Sequence, residues 1–121
     1  MKLEVIEGTF AVCKVADAAG VDLRAPFTFL SQTDEELSLV CAEARVPRDA
    51  RVVDHGWRMF RVAGVLDFAL IGILAKISGC LAEVKVGIFA ISTYNTDYLL
   101  VKATQFERAM AALKAEGYDV V

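Results

Sequence analysis

The sequence predicts an α+β fold of the ferredoxin-like class, βαββαβ, an antiparallel sheet with helices on one face, preceded by an abridged half of the same kind. Three observations carry this. Two segments, 68–81 and 104–116, have apolar residues at helical spacing, and strand-like runs flank them at 57–62, 86–91, 98–101 and 118–121. The first fifty residues hold strand-like runs without matching helices. A stretch of that first part also echoes one in the second.

Taken in order, residues 1–6 alternate loosely, and 9–15 form a better strand, rich in aromatic and branched side chains. Residues 16–22 are small and polar around Gly20 and read as a turn or one short helical turn. Pro26 keeps Ala25 extended, so a strand start follows at Phe27. A polar turn at 32–36 separates it from the strand 37–42. Residues 44–54, with Pro47 and several charges, read as the linker. The domains expected are therefore 1–50 and 56–121. Residues 29–40 can be laid without a gap on residues 90–101: apolar run, Ser, acid-bearing turn, then a strand.

The second part is more regular. Leu70, Leu74, Ile77 and Leu81 fall on one helix face, with Gly72, Ala75, Ser78 and Gly79 on a neighbouring face of small residues. Interior glycines cost a helix about 1 kcal/mol each relative to alanine, which points to a close approach by a backbone, a helix or a ligand. Thr104 and Glu107 have the spacing of a capping box. Phe106, Met110 and Leu113 form the buried stripe of the second helix, and Gly117 suits the left-handed residue that ends it.

Composition narrows the function. The chain has 121 residues, 56% of them hydrophobic, and a net charge of −3. Mean hydropathy is +0.48. Asp67, Lys76, Glu83 and Lys85 interrupt the richest apolar region, so no run reaches the roughly eighteen residues of a membrane helix. Acids at Glu4 and Glu7 replace the apolar core of a secretory signal. These features predict a cytoplasmic protein that buries apolar surface against another copy. Acidic and basic residues interleave, without the clustered Lys and Arg of a nucleic-acid surface. Cys13, Cys41 and Cys80 lie far apart and form no CxxC pair, as expected of buried thiols in a reducing compartment.

Chemistry is sparse. His55 is the one histidine, and no Ser, Cys or second His completes a nucleophilic set around it. One His and scattered Cys build no zinc site, and no phosphate-cradling glycine motif is present. The expectation is no enzyme, no cofactor and no metal. Binding is better supported. Ser92, Thr93, Asn95, Thr96 and Asp97 crowd one turn between apolar strands, where an ordinary tight hairpin would carry Asn-Gly or Asp-Gly. Such groups can receive a small zwitterion, with Asp97 taking its ammonium. They can equally satisfy only their own turn.

The order of elements, with the segments 66–78 and 88–101, resembles the ACT domain, a small regulatory module that binds amino acids. More narrowly it resembles small bacterial tandem-ACT proteins, similar to the ACT modules of cytosolic arginine sensors. The resemblance implies modules associating side by side as a homodimer or larger assembly, with an amino acid at the seam. It implies a regulated partner protein, while the charge pattern and hydropathy imply neither nucleic acid nor membrane. It places ligand contacts at Gly64, Val65, Leu66, Asp67 and Phe68, with Gly72 and Ile73 in the helix behind, and at Ile91, Ser92, Thr93, Thr96 and Asp97. Ser31 would supply a facing wall. Gly64-Val65-Leu66-Asp67 stands where many such modules carry an Asp-x-Pro-Gly-like turn. The function expected is amino-acid sensing without catalysis. The alternative is a ligand-free oligomerisation module.

Overall fold

Seven strands and two α-helices divide into two units in the computed structural model, which describes residues 1–67 and 71–121. One unit is Gly8–Trp57; the other joins Met1–Glu7 to Arg58–Val121. The first is thus an insertion within the second. Two strands cross the division, β1 (Lys2–Lys14) and β4 (Val52–Val62), so each unit takes part of both. The 44–54 linker expected from sequence is a 3-10 turn at Glu43–Arg45 and loop, and its last residues already belong to β4.

The inserted unit is short on helix, as its sequence predicts. β2 (Phe29–Gln32) pairs antiparallel with β3 (Leu37–Ala42), and β3 pairs antiparallel with β1. Cys13, Val15, Leu39 and Cys41 form its core. Burial pushes both thiols up, Cys41 to about 11 with the Cys13 sulfur beside it adding to the shift. Both therefore stay protonated and behave as small apolar side chains.

The larger unit carries the α+β ferredoxin-like fold. After β4 come α1 (Ile73–Glu83), β5 (Phe89–Ser92), β6 (Asp97–Lys102), α2 (Phe106–Ala115) and β7 (Asp119–Val120). Its strand order is β7-β1-β4-β6-β5. One strand departs from the simple pattern: β7 pairs in parallel with β1, Lys2 opposite Asp119, so the N-terminal strand lies between β7 and β4. Alternation decides the faces. Leu3, Phe60, Val62, Leu99 and Val101 point to one side and pack with Ile77 and Leu81 of α1 and Ala109, Met110 and Leu113 of α2. Both helices thus cover the same face.

Helix ends differ from the sequence reading. α1 starts at Ile73, and Gly72 is not in the helix; it caps the start with φ 82°, a left-handed conformation natural to glycine. Residues 68–70 of the expected helix lie outside the described residues. The Thr104–Glu107 capping box does not form, because Ala103–Gln105 winds as a 3-10 turn and α2 begins after it without a side-chain cap. The C-terminal ends are alike. Val86 N–H reaches Leu81 O at 2.9 Å and Lys85 N–H reaches Ala82 O at 3.0 Å. At α2 the same pair runs from Tyr118 to Leu113 and from Gly117 to Lys114. These are Schellman closures, whose left-handed residue is Gly117 (φ 98°) in one and Lys85 (φ 60°) in the other.

The internal echo is present with a corrected register. β2 and β5, β3 and β6, and the two 3-10 turns are each offset by 60 residues. Phe29 faces Val40 as Phe89 faces Leu100. The ungapped match read from sequence is offset by one more, which would exchange the two faces of every strand.

Candidate functional site

The turn between β5 and β6 is a four-residue loop, 93–96, closed by the pair Ser92 and Asp97. Thr93 organises it. Its N–H and its hydroxyl both donate to Thr96 O at 2.9 Å, and Thr96 N–H donates back to Thr93 Oγ1 at 3.4 Å. Ser92 Oγ donates to Asp97 Oδ1 at 2.6 Å. Thr96, only 5% exposed, donates its hydroxyl to Val62 O at 2.7 Å, which pins the turn to the end of β4. One residue earlier, Asn95 O accepts from Leu66 N–H at 2.7 Å. The segment leaving β4 is thereby stitched to the turn, through groups that the inside of neither element would satisfy.

Between them lies a concavity of about 240 Å³, lined by Leu66 and Asp67, the loop residues Thr93, Tyr94, Asn95 and Thr96, and the strand-end residues Ser92 and Asp97. Two carboxylates and no basic side chain line it, so its field favours a cationic group. Six residues singled out from sequence (Leu66, Asp67, Ser92, Thr93, Thr96 and Asp97) come together here, from segments about thirty positions apart. The rest do not join them. Gly64 (φ 85°) lines a smaller neighbouring concavity with Glu4, Arg61 and Tyr98. Ile91 stands opposite Tyr98, on the sheet face away from Ser92 and Asp97. Val65 is 72% exposed. Ile73 packs against the core from the first turn of α1, and Gly72 precedes that turn. Ser31 sits opposite Ser38 in the inserted unit. Phe68 lies outside the described residues.

Tyr94 and Asn95 complete the lining; the sequence flags Asn95 as a polar turn residue, but only the folded turn shows that its backbone carbonyl holds Leu66. On the opposite sheet face the Arg61 guanidinium meets Glu4 Oε2 and Tyr98 Oη, each at 3.2 Å, and these bonds raise its already high pKa. Among the described residues no group of three or more His, Cys, Asp or Glu is placed to hold a metal ion. His55 is exposed within β4.

The family model of the ACT domain matches residues 52–115. Subunit 1 of the cytosolic arginine sensor for mTORC1 from Rattus norvegicus is 33% identical over 107 residues, covering 82% of this chain and 32% of the relative. The mouse protein gives 32% identity over the same length. The chain thus spans about a third of the length of the curated relatives it matches. Among solved structures, protein Atu0741 from Agrobacterium tumefaciens is 32% identical, covers 99% of this chain and 91% of its own, and superposes with a TM-score of 0.88. The aspartate kinase of Clostridium acetobutylicum shares the fold at 15% identity, with a TM-score of 0.60 over 87% of this chain and 31% of that one.

Proposed function

Because the chain belongs to the ACT domain family, we propose that it is a non-catalytic regulatory protein that binds an amino acid in the concavity between the β5–β6 turn and the segment leaving β4. One observation carries this reading. Six residues expected to contact a ligand line a single small concavity whose charge suits an ammonium or guanidinium group. Asp97 holds that cationic group, assisted by Asp67. The segment leaving β4 at Leu66 and Asp67, which lines the same concavity, meets the carboxylate end. L-Arginine is the first ligand to test, because the curated relatives are named for sensing arginine. We place the protein in the cytoplasm as a homodimer or larger assembly that acts through a partner protein. No helix of the described residues is long and apolar enough to cross a membrane.

Thermal unfolding in the presence of each of the twenty amino acids tests the reading. A ligand that binds only the folded chain adds about 2.7 kcal/mol at a hundred times its dissociation constant, which moves the midpoint by several degrees in a protein of this size. Asp97→Ala should abolish that shift. A flat screen overturns the reading and leaves the alternative, a ligand-free oligomerisation module. One observation favours that alternative: Ser92, Thr93, Thr96 and Asp97 already satisfy one another or Val62.

A further inference from the structure

A second and larger concavity, about 560 Å³, runs along the outer side of α1 in the same unit. Half-buried Ile73, Cys80 and Tyr118 and exposed Met1 and Ile71 give it apolar surface, with exposed Gly79 among them. Its charged side chains are Lys76, Glu83 and Glu116. None of them makes an ion pair among the described residues. Both carboxylates act on Cys80: burial raises the pKa of its thiol, and the negative charges of Glu116 and Glu83 raise it further. Lys76 stands apart, two turns nearer the start of α1 and about 10 Å from Glu83 along the helix. The groove is therefore positive at one end and negative at the other.

α1 carries these charges against its own dipole. Anions stabilise the positive start of a helix and cations its negative end. Here the first turn has no acid and holds Lys76, while the last turn has no base and closes on Glu83. Glu116 likewise stands at the negative end of α2. Glycine is among the least favourable residues inside a helix, yet a side chain added at Gly79 would meet nothing within 4 Å. The three charges and the glycine thus gain nothing for the chain's own fold. We propose that the groove binds a linear ω-amino acid, laid along α1 with its carboxylate at Lys76, its ammonium at Glu83 and Glu116, and its methylene stem over Gly79. Such a ligand compensates both ends of the helix. An α-amino acid bears both charges on one carbon and does not span them. A peptide of that length brings amide groups to a helix interior whose own N–H and C=O groups are already bonded to each other. A methylene stem needs no such partners. The site shares no residue with the β5–β6 concavity.

Titration of the full chain with 8-aminooctanoate, whose charges lie about 10 Å apart when extended, tests the proposal by heteronuclear NMR. The amide signals of Gly79 and Cys80 should shift and saturate. The isomer 2-aminooctanoate, with both charges on one carbon, should leave them in place. Octylamine, which lacks the carboxylate, should bind more weakly. Lys76→Met should lower the affinity for 8-aminooctanoate about threefold, the scale of an exposed ion pair, and erase its preference over octylamine. Gly79→Leu fills the groove while favouring the helix. It should raise the melting midpoint and abolish the shift at Cys80, so that lost binding is not lost folding. Absence of saturable shifts, an equal response to 2-aminooctanoate, a preference that survives Lys76→Met, or a Cys80 shift that survives Gly79→Leu overturns the proposal.

Discussion

Lys85 holds a backbone conformation that L-residues adopt at a cost. It ends α1 with φ 60°, in the position that Gly117 fills at the end of α2. Replacing it with glycine removes the Cβ conflict, while the unfolded chain gains some freedom in return. Lys85→Gly should therefore stabilise the protein by about 0.5–1 kcal/mol, read as a higher midpoint in urea or on heating. Nothing in the local sequence Ala82-Glu83-Val84-Lys85 announces a left-handed residue. Gly117 is legible because glycine is the usual occupant, and Lys85 is not because the closure is held by backbone hydrogen bonds from Lys85 and Val86.

Elements were legible where a periodic pattern is long and less so at their ends. The α2 stripe and the strand at 37–42 could be read directly, since both bury one side of a regular element. The capping box was not, although Thr104 and Glu107 have its spacing. The chain reaches α2 through a 3-10 turn, which leaves Thr104 outside the capping position. Thr104→Ala should thus change stability by less than about 0.5 kcal/mol in a denaturant titration, against the roughly 1 kcal/mol of a working cap. The repeat shows a different limit. Matching Ser31 to Ser92 is attractive by identity, but strand pairing aligns Ser31 with Ile91 and Thr33 with Thr93. Those two threonines share a bond: each N–H donates to the carbonyl three residues on, at 2.9 Å. A hydrogen-bond pattern is conserved between the halves where side-chain identity mostly is not.

Over the whole molecule, the least legible feature was the allegiance of the first seven residues. Their alternation predicts a strand but not its partners, which come from distant sequence. Leu3 is fully buried in the larger unit's core. Lys2 O accepts from Ala63 N–H at 2.9 Å, Leu3 O from Val121 N–H at 2.9 Å, and Met1 O from Asp119 N–H at 3.0 Å. A fragment of residues 58–121 lacks these partners and leaves a hole where Leu3 sits. It should show no cooperative melting transition by calorimetry. Joining Met1–Glu7 to Arg58–Val121 through a short glycine linker should restore one, because every described residue of that core lies in those two segments. A cooperative transition in the bare fragment would contradict the assignment.

The insertion also sets an order in time. All of Gly8–Trp57 leaves the ribosome as one continuous piece, and its strands can pair as soon as they emerge. Leu3 is made earlier, yet its partner Val120 in β7 is made more than a hundred residues later. Contacts that span so much sequence close slowly. During synthesis the apolar side chains of Leu3 and Val5 therefore wait uncovered while the inserted unit is already formed. That interval is when the growing chain is most open to aggregation and to chaperone capture. Early synthesis and late burial fall on the same strand.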